Sequence, residues 1–178
     1  MTQIIKDYCK RLRLSGISKY WEDVSFDNPE QFLTDLLNIE LEEREKNRTN
    51  RLLKQAKFPY LKTFEEFDWS SVELPEMIKR DWFKDGQFIE EKQNLLLYGP
   101  VGTGKTHLAI ALGVEACQKG YKSRFYTTSG LVNDLLTHHA KGKLPKLLKK
   151  IEKLDLLIID EFGYVPFKTE GANLLFQV

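Results

Sequence analysis

The sequence predicts an α/β chain: a parallel sheet core covered by helices on both faces, incomplete toward its C-terminus and preceded by a small all-helical segment. The apolar runs Asn94 to Tyr98 and Leu154 to Asp160 are too short for amphipathic helices and read as buried strands. Ser123 to Thr127 reads as a third. Helical patterns of about 10–15 residues separate these runs, and parallel strands need crossovers of that kind.

Composition bounds the rest. In a chain of 178 residues that is 42% apolar, one sizeable core can be buried, with an appendage. A formal net charge of +1 excludes nucleic-acid binding through bulk charge alone and leaves only a local basic patch. Cys9 and Cys117 stand singly inside helical patterns, which fits reduced thiols and neither a disulfide nor a zinc cluster. The residues after Met1 acquire charge before any apolar run of signal-peptide length, and no stretch reaches a membrane span. The expectation is a cytoplasmic protein without a membrane segment.

Each element has its local cause. Ile4, Ile5, Tyr8, Cys9 and Leu12 recur at helical spacing, with Gly16 placed to cap the end. Asn28 and Pro29 open a second helix, with Gln31 in the capping-box position, and its apolar stripe of Phe32, Leu33, Leu36, Leu37 and Leu41 passes into a charged stretch toward Lys57. Pro59 disfavours helix at Phe58, so the expected division is a helical domain over 1–58 and a sheet domain over 59–178. An aromatic segment follows with Phe64, Phe67 and Trp69, then a helix from Leu74 to Phe88. Beyond the first strand come helices over Lys105 to Lys119, over Ser129 to Ala140 with Ser129 as cap, and over Leu144 to Lys153. The last begins near Thr169.

Between the first strand and the helix after it lies Gly99-Pro100-Val101-Gly102-Thr103-Gly104-Lys105-Thr106, which matches G-x-x-x-x-G-K-[ST] in the context that motif requires. Glycines let the backbone curl so that N–H groups converge on phosphate oxygens, and the helix N-terminus adds partial positive charge. Residues 99–106 are therefore the candidate ATP-binding loop, with Lys105 on the β- and γ-phosphates and the Thr106 hydroxyl on Mg²⁺. Leu156 to Ile159 then ends in Asp160 and Glu161, which puts carboxylates at the carboxyl edge of the sheet. Asp160 suits Mg²⁺, and Glu161 suits polarising the water that attacks the γ-phosphate, so Lys105 and Glu161 are the candidate catalytic pair.

Weaker signals carry competing explanations. Lys141, Lys143, Lys146, Lys149, Lys150 and Lys153 could meet a DNA backbone or could be a solvated helix face over Leu144, Leu147, Leu148 and Ile151. Arg44, Lys46, Arg48, Arg51, Lys54 and Lys57 form a second basic stretch whose upstream glutamates could simply pair with it. His107 reads as structural, and His138 and His139 diverge on a helix and cannot chelate together. Trp69 and Trp82 read as core, although an aromatic from Phe58 to Trp69 could stack on adenine.

These motifs, with Leu95-Leu96-Leu97-Tyr98-Gly99-Pro100 before the loop, Thr106 to Gly113 after it, and Phe58-Pro59-Tyr60-Leu61-Lys62-Thr63, resemble the IstB/DnaC-like family of AAA+ P-loop ATPases. The resemblance spans essentially the whole chain, and Arg11 to Gly16 resembles the insertion-sequence transposition helper more than the helicase loader. It implies binding of ATP and DNA, assembly into homo-oligomers, and assistance to a transposase of the same element. It also implies that the core is truncated after the acidic strand, without sensor or arginine-finger elements. In this fold a further strand separates the phosphate-loop strand from the Asp160 strand, so both would lack partners at their facing edges. Weak nucleotide binding with poor hydrolysis is then expected unless neighbouring subunits complete the site. Two alternatives stay open: a helicase loader in DNA replication, and a non-hydrolysing remnant that only binds partners.

Overall fold

The structure, a computed structural model, describes residues 3–74, 80–163 and 169–178. It contains two compact units, residues 1–51 and 52–178, and the division falls inside a long helix, upstream of the boundary expected at Pro59.

The first unit comprises helix α1 (Gln3–Leu12), helix α2 (Ser15–Tyr20), a 3₁₀ turn (Trp21–Asp23) and most of helix α3 (Pro29–Ala56). The cap expected of Gly16 is made by Arg13, whose φ of 57° reverses the chain so that the Leu14 amide donates to the Cys9 carbonyl at 2.8 Å. Gly16 instead lies buried in α2, where a Cβ would stand 2.8 Å from the Ile39 carbonyl oxygen. That close approach lets the Glu40 carboxylate accept the Gly16 amide at 2.7 Å and the Ile17 amide at 3.3 Å. Arg44 Nε donates to the same carboxylate at 2.8 Å, and Lys19 pairs with the neighbouring Glu43. Asn28 caps α3 as expected, accepting the Glu30 amide at 2.8 Å. The Gln31 side chain, however, donates forward to Asp35 rather than back to the cap.

In the second unit, the last turn of α3 buries Leu52 and Ala56 against Cys117. Lys57, at φ 57°, ends the helix, and the aromatic segment then folds inward, with Phe64 and Phe67 joining Phe83, Phe88, Leu108, Ala111 and Leu112 in one core cluster. Of the helix expected over Leu74 to Phe88, residues 75–79 lie outside the described residues. The remainder is two short helices, α4 (Arg80–Asp85) and α5 (Gln87–Glu90), because Gly86 takes a left-handed φ of 74° between them. The core follows as helix α6 (Lys105–Gln118), strand β1 (Ser123–Thr127), helix α7 (Thr128–Ala140), helix α8 (Leu144–Ile151), strand β2 (Leu156–Asp160) and helix α9 (Thr169–Leu175).

Strands β1 and β2 are parallel, in register from Ser123 opposite Leu156 to Thr127 opposite Asp160. Their alternation fills both faces: Phe125 and Ile158 pack with Ile110 and Val114 of α6, while Tyr126, Leu157 and Ile159 pack on Leu131, Leu135, Leu144, Leu147 and Ile151. Helix α7 starts one residue earlier than expected, because Thr127 rather than Ser129 caps it by accepting the Gly130 amide at 3.1 Å.

One expected strand is corrected. Residues 94–98 run without ladder partners among the described residues, so the sheet there has two strands. Leu95 and Leu97 pack on the aromatic cluster, whereas Leu96 and Tyr98 are 81% and 88% exposed. The period-two pattern of a strand survives, but its hydrogen-bonding edge and outer face are uncovered, which is what an incomplete α/β P-loop sheet leaves at this position. No helix among the described residues is long and apolar enough to cross a membrane.

Candidate functional site

Residues 99–104 form a loop of turns between the extended segment and α6. Gly99, Gly102 and Gly104 have φ values of 144°, 83° and 84°, in the region that disfavours side chains, so the glycine spacing is what permits this curl. Gly104 is the residue preceding the first turn of α6, and a Cβ there would stand 2.9 Å from the Phe67 ring. The loop therefore rests on the aromatic cluster. Thr103 Oγ1 closes it further by donating to the Pro100 carbonyl at 2.9 Å.

The Lys105 side chain folds back over the loop, with its ammonium donating to the Gly99 carbonyl at 2.9 Å and the Pro100 carbonyl at 2.6 Å. Val101 is exposed at the loop's tip. The next residue, Thr106, reaches across to the sheet, and its Oγ1 donates to Asp160 Oδ2 at 2.9 Å. That single bond joins two motifs 54 residues apart in sequence. The loop stands before α6 and the acids stand at the carboxyl end of β2, where open α/β sheets place their ligand crevice.

Thr106 and Asp160 offer hard oxygen donors, one hydroxyl and one carboxylate, within hydrogen-bond distance of each other. This set fits Mg²⁺, which keeps several waters and is commonly held by one or two carboxylates together with substrate phosphates. Asp160 is further tied through its backbone, since the buried Thr128 hydroxyl donates to its carbonyl at 2.7 Å. Glu161 follows at a left-handed φ of 58° and is exposed. Thr128 escaped the sequence reading because a threonine after a strand signals only a helix start.

The other candidates separate cleanly. His107 hydrogen-bonds through Nε2 to the Thr63 carbonyl at 3.1 Å and packs edge-on against Phe67, in keeping with a structural role. His138 turns back to the Asp134 carbonyl, while His139 faces Glu170, so the two rings do diverge. Trp69 and Trp82 pack against the aromatic cluster. Burial pushes the Cys117 thiol up, as an inert core cysteine requires. In the basic stretch of α3, Arg44 pairs with Glu40 and Arg48 with Glu45. On α8, Leu144, Leu147 and Ile151 are buried, and Lys146, Lys149 and Lys150 are exposed with no ion-pair partner among the described residues.

The family model for IstB-like ATP binding protein matches residues 8–178. A protein of Geobacillus stearothermophilus, described as an ATP-binding protein of insertion sequence IS5376, is 39% identical across 100% of this chain and 73% of its own length. The counterpart from insertion sequence IS232 of Bacillus thuringiensis subsp. berliner is 34% identical, over 94% of this chain and 69% of its own. That from IS21 of Pseudomonas aeruginosa is 35% identical, over 85% and 57% respectively. With a glycine loop and an acidic strand end joined through Thr106 and Asp160, and a family match over nearly all of its residues, the chain belongs to the IstB-like ATP-binding protein family.

Proposed function

We propose that this chain is a cytoplasmic, DNA-associated AAA+ ATPase that binds ATP with Mg²⁺ and assists the transposase of an insertion sequence. The observation that carries the reading is the 2.9 Å hydrogen bond between Thr106 and Asp160, which brings the loop and the acidic strand end to one place. Backbone amides of residues 101–104 bind the phosphates, and Lys105 leaves the Gly99 and Pro100 carbonyls for the β- and γ-phosphates. Thr106 and Asp160 would hold Mg²⁺, which when bound would supply neutralisation of phosphate charge. Glu161 orients a water and takes its proton as the water oxygen attacks the γ-phosphorus; the bond to the bridging oxygen breaks and ADP leaves with the electron pair.

The insertion-sequence descriptions of the relatives favour a transposase as partner over a replicative helicase. The exposed lysines of α8 and its flanks are the DNA-facing surface in this reading, six bases against the single acid Glu152 over residues 141–153. Neighbouring copies in a homo-oligomer supply what hydrolysis needs beyond these residues.

Calorimetric titration with ATP, with and without Mg²⁺, tests the core of the reading. Wild-type protein binds, and Mg²⁺ tightens the binding; Lys105→Ala weakens it at least about tenfold, the loss of one charge-assisted phosphate contact. Absence of ATP and ADP uptake by folded wild-type protein would overturn the proposal.

A further inference from the structure

We infer that Thr128 is a positioning residue for hydrolysis, its hydroxyl pinning the Asp160 carbonyl so that the peptide leading to Glu161 is held in the orientation that aims the Glu161 carboxylate. The inference rests on the nucleotide reading above.

Strands β1 and β2 stay in register only as far as Thr127 and Asp160. Beyond that pair the chains part: Thr128 begins α7, and residues 161–163 turn away from β2. The Asp160 carbonyl stands at this last pair of the ladder, where Thr128 leaves β1 for α7. The Thr128 hydroxyl donates to it at 2.7 Å, reaching 32 residues along the sequence.

Packing alone does not select threonine here. Thr128 is 0% exposed, and valine has the same branched shape without a hydroxyl to desolvate. Threonine is also a modest helix former, and the capping function at this terminus belongs to Thr127. What the hydroxyl adds is the bond to Asp160.

That bond fixes one face of a residue already held at the other. The Asp160 carboxylate is engaged by Thr106 from α6, and its carbonyl by Thr128 from α7, so side chain and backbone are anchored by different helices. The next residue, Glu161, takes a left-handed φ of 58°, a conformation uncommon for a residue with a Cβ, which persists where the surroundings enforce it. Releasing the Asp160 carbonyl frees the 160–161 peptide to rotate and lets Glu161 relax toward an ordinary φ. Its carboxylate then leaves the position from which it takes the proton of the attacking water. Binding of ATP does not depend on that position, since the phosphates are held by the loop and Lys105.

Single-turnover hydrolysis of ATP and calorimetric ATP affinity, measured on the full chain for wild type, Thr128→Val, Thr128→Ser, Glu161→Gln and the double variant Thr128→Val/Glu161→Gln, test this. The expected result is that Thr128→Val keeps ATP affinity within about threefold while its hydrolysis rate falls about 10–100-fold, the scale of an ångström-level misplacement. Thr128→Ser, which keeps the hydroxyl and loses only the methyl, recovers to within about threefold of wild type. The double variant is no slower than Glu161→Gln alone, because Thr128 acts only through Glu161. The inference is overturned if Thr128→Val hydrolyses like wild type, if Thr128→Ser is as impaired as Thr128→Val, or if the two losses multiply in the double variant. It is equally overturned if wild type binds ATP and never turns it over, an outcome that leaves the nucleotide site itself standing. Failure of wild type to bind ATP refutes the broader reading instead.

Discussion

Gly113 lies where α6 closely approaches Phe58 and Ile158, and replacing it with alanine tests how the phosphate-loop helix is seated on the sheet. A Cβ at this position would stand 2.6 Å from both Cε1 and Cζ of Phe58 and 2.7 Å from Cδ1 of Ile158. Carbon atoms prefer about 3.5–4.0 Å, so each contact is short by about 1 Å. Neither neighbour yields freely: Ile158 is buried in the middle of β2, and Phe58 packs with Leu52, Ala56 and Cys117 and edge-on against Phe125. Overpacking of this kind costs about 1–3 kcal/mol, and three close contacts argue for the upper part of that range. Alanine returns about 0.8–1 kcal/mol through its better helix propensity. The net expectation for Gly113→Ala is a destabilisation of about 1–2 kcal/mol, or a fall in Tm of about 3–8 °C for a unit of this size.

Urea unfolding followed by tryptophan fluorescence reads this directly, because Trp69 and Trp82 both pack on the aromatic cluster of the second unit. The same substitution in a Phe58→Ala background separates the clash from any general intolerance of α6. With the ring removed, the penalty of Gly113→Ala shrinks by about 1 kcal/mol or more, since only the Ile158 contact remains. An alanine variant at least as stable as wild type, or a penalty unchanged by Phe58→Ala, would refute the packing argument.

Two further outcomes follow from charge. If α8 is the DNA-facing surface, Lys146→Gln/Lys149→Gln/Lys150→Gln weakens binding of a DNA duplex in fluorescence anisotropy and lowers the magnitude of the log K against log salt slope by about 2–3, with ATP affinity unchanged; a slope unchanged by the triple variant removes α8 from the interface. In the first unit, burial works against ionisation of Glu40, but hydrogen bonds from Arg44 and from the Gly16 and Ile17 amides outweigh it and hold its pKa below the ordinary value. A depressed folded-state pKa means stability that is complete above the unfolded value of about 4.3 and is lost as pH falls through the folded one. Glu40→Ala therefore destabilises the first unit by about 1–3 kcal/mol at neutral pH, reported by Trp21 fluorescence, and its remaining stability falls less steeply on acidification than that of wild type.

Much of this molecule was legible in the sequence because its physics is local. The glycine loop needs three left-handed or near-extended residues at fixed spacing, and Gly99, Gly102 and Gly104 announce them. The run that became β2 packs apolar side chains on both faces, so its apolar continuity identified it. The elements misjudged were those decided by partners distant in sequence. Residues 94–98 carry a strand pattern, yet ladder formation depends on a neighbour that the pattern cannot supply. Gly16 sits where a cap is common, but Arg13 takes that role and Gly16 serves a close approach to Ile39 and Glu40 instead.

The same division runs through the candidate site. Lys105, Thr106, Asp160 and Glu161 stand out by type and spacing, because a phosphate and a divalent cation each demand particular atoms. Thr128 does not, because its role exists only once β1 and β2 are in register and α7 has carried its hydroxyl to the Asp160 carbonyl. Residues that touch a ligand are constrained by the ligand's chemistry and leave a motif. Residues that hold them are constrained by the geometry of the fold, which allows many side chains at many positions to do the same work. A search for further determinants of this site is therefore better directed at the donors to the backbone of 160–161 than at additional charged residues around the loop.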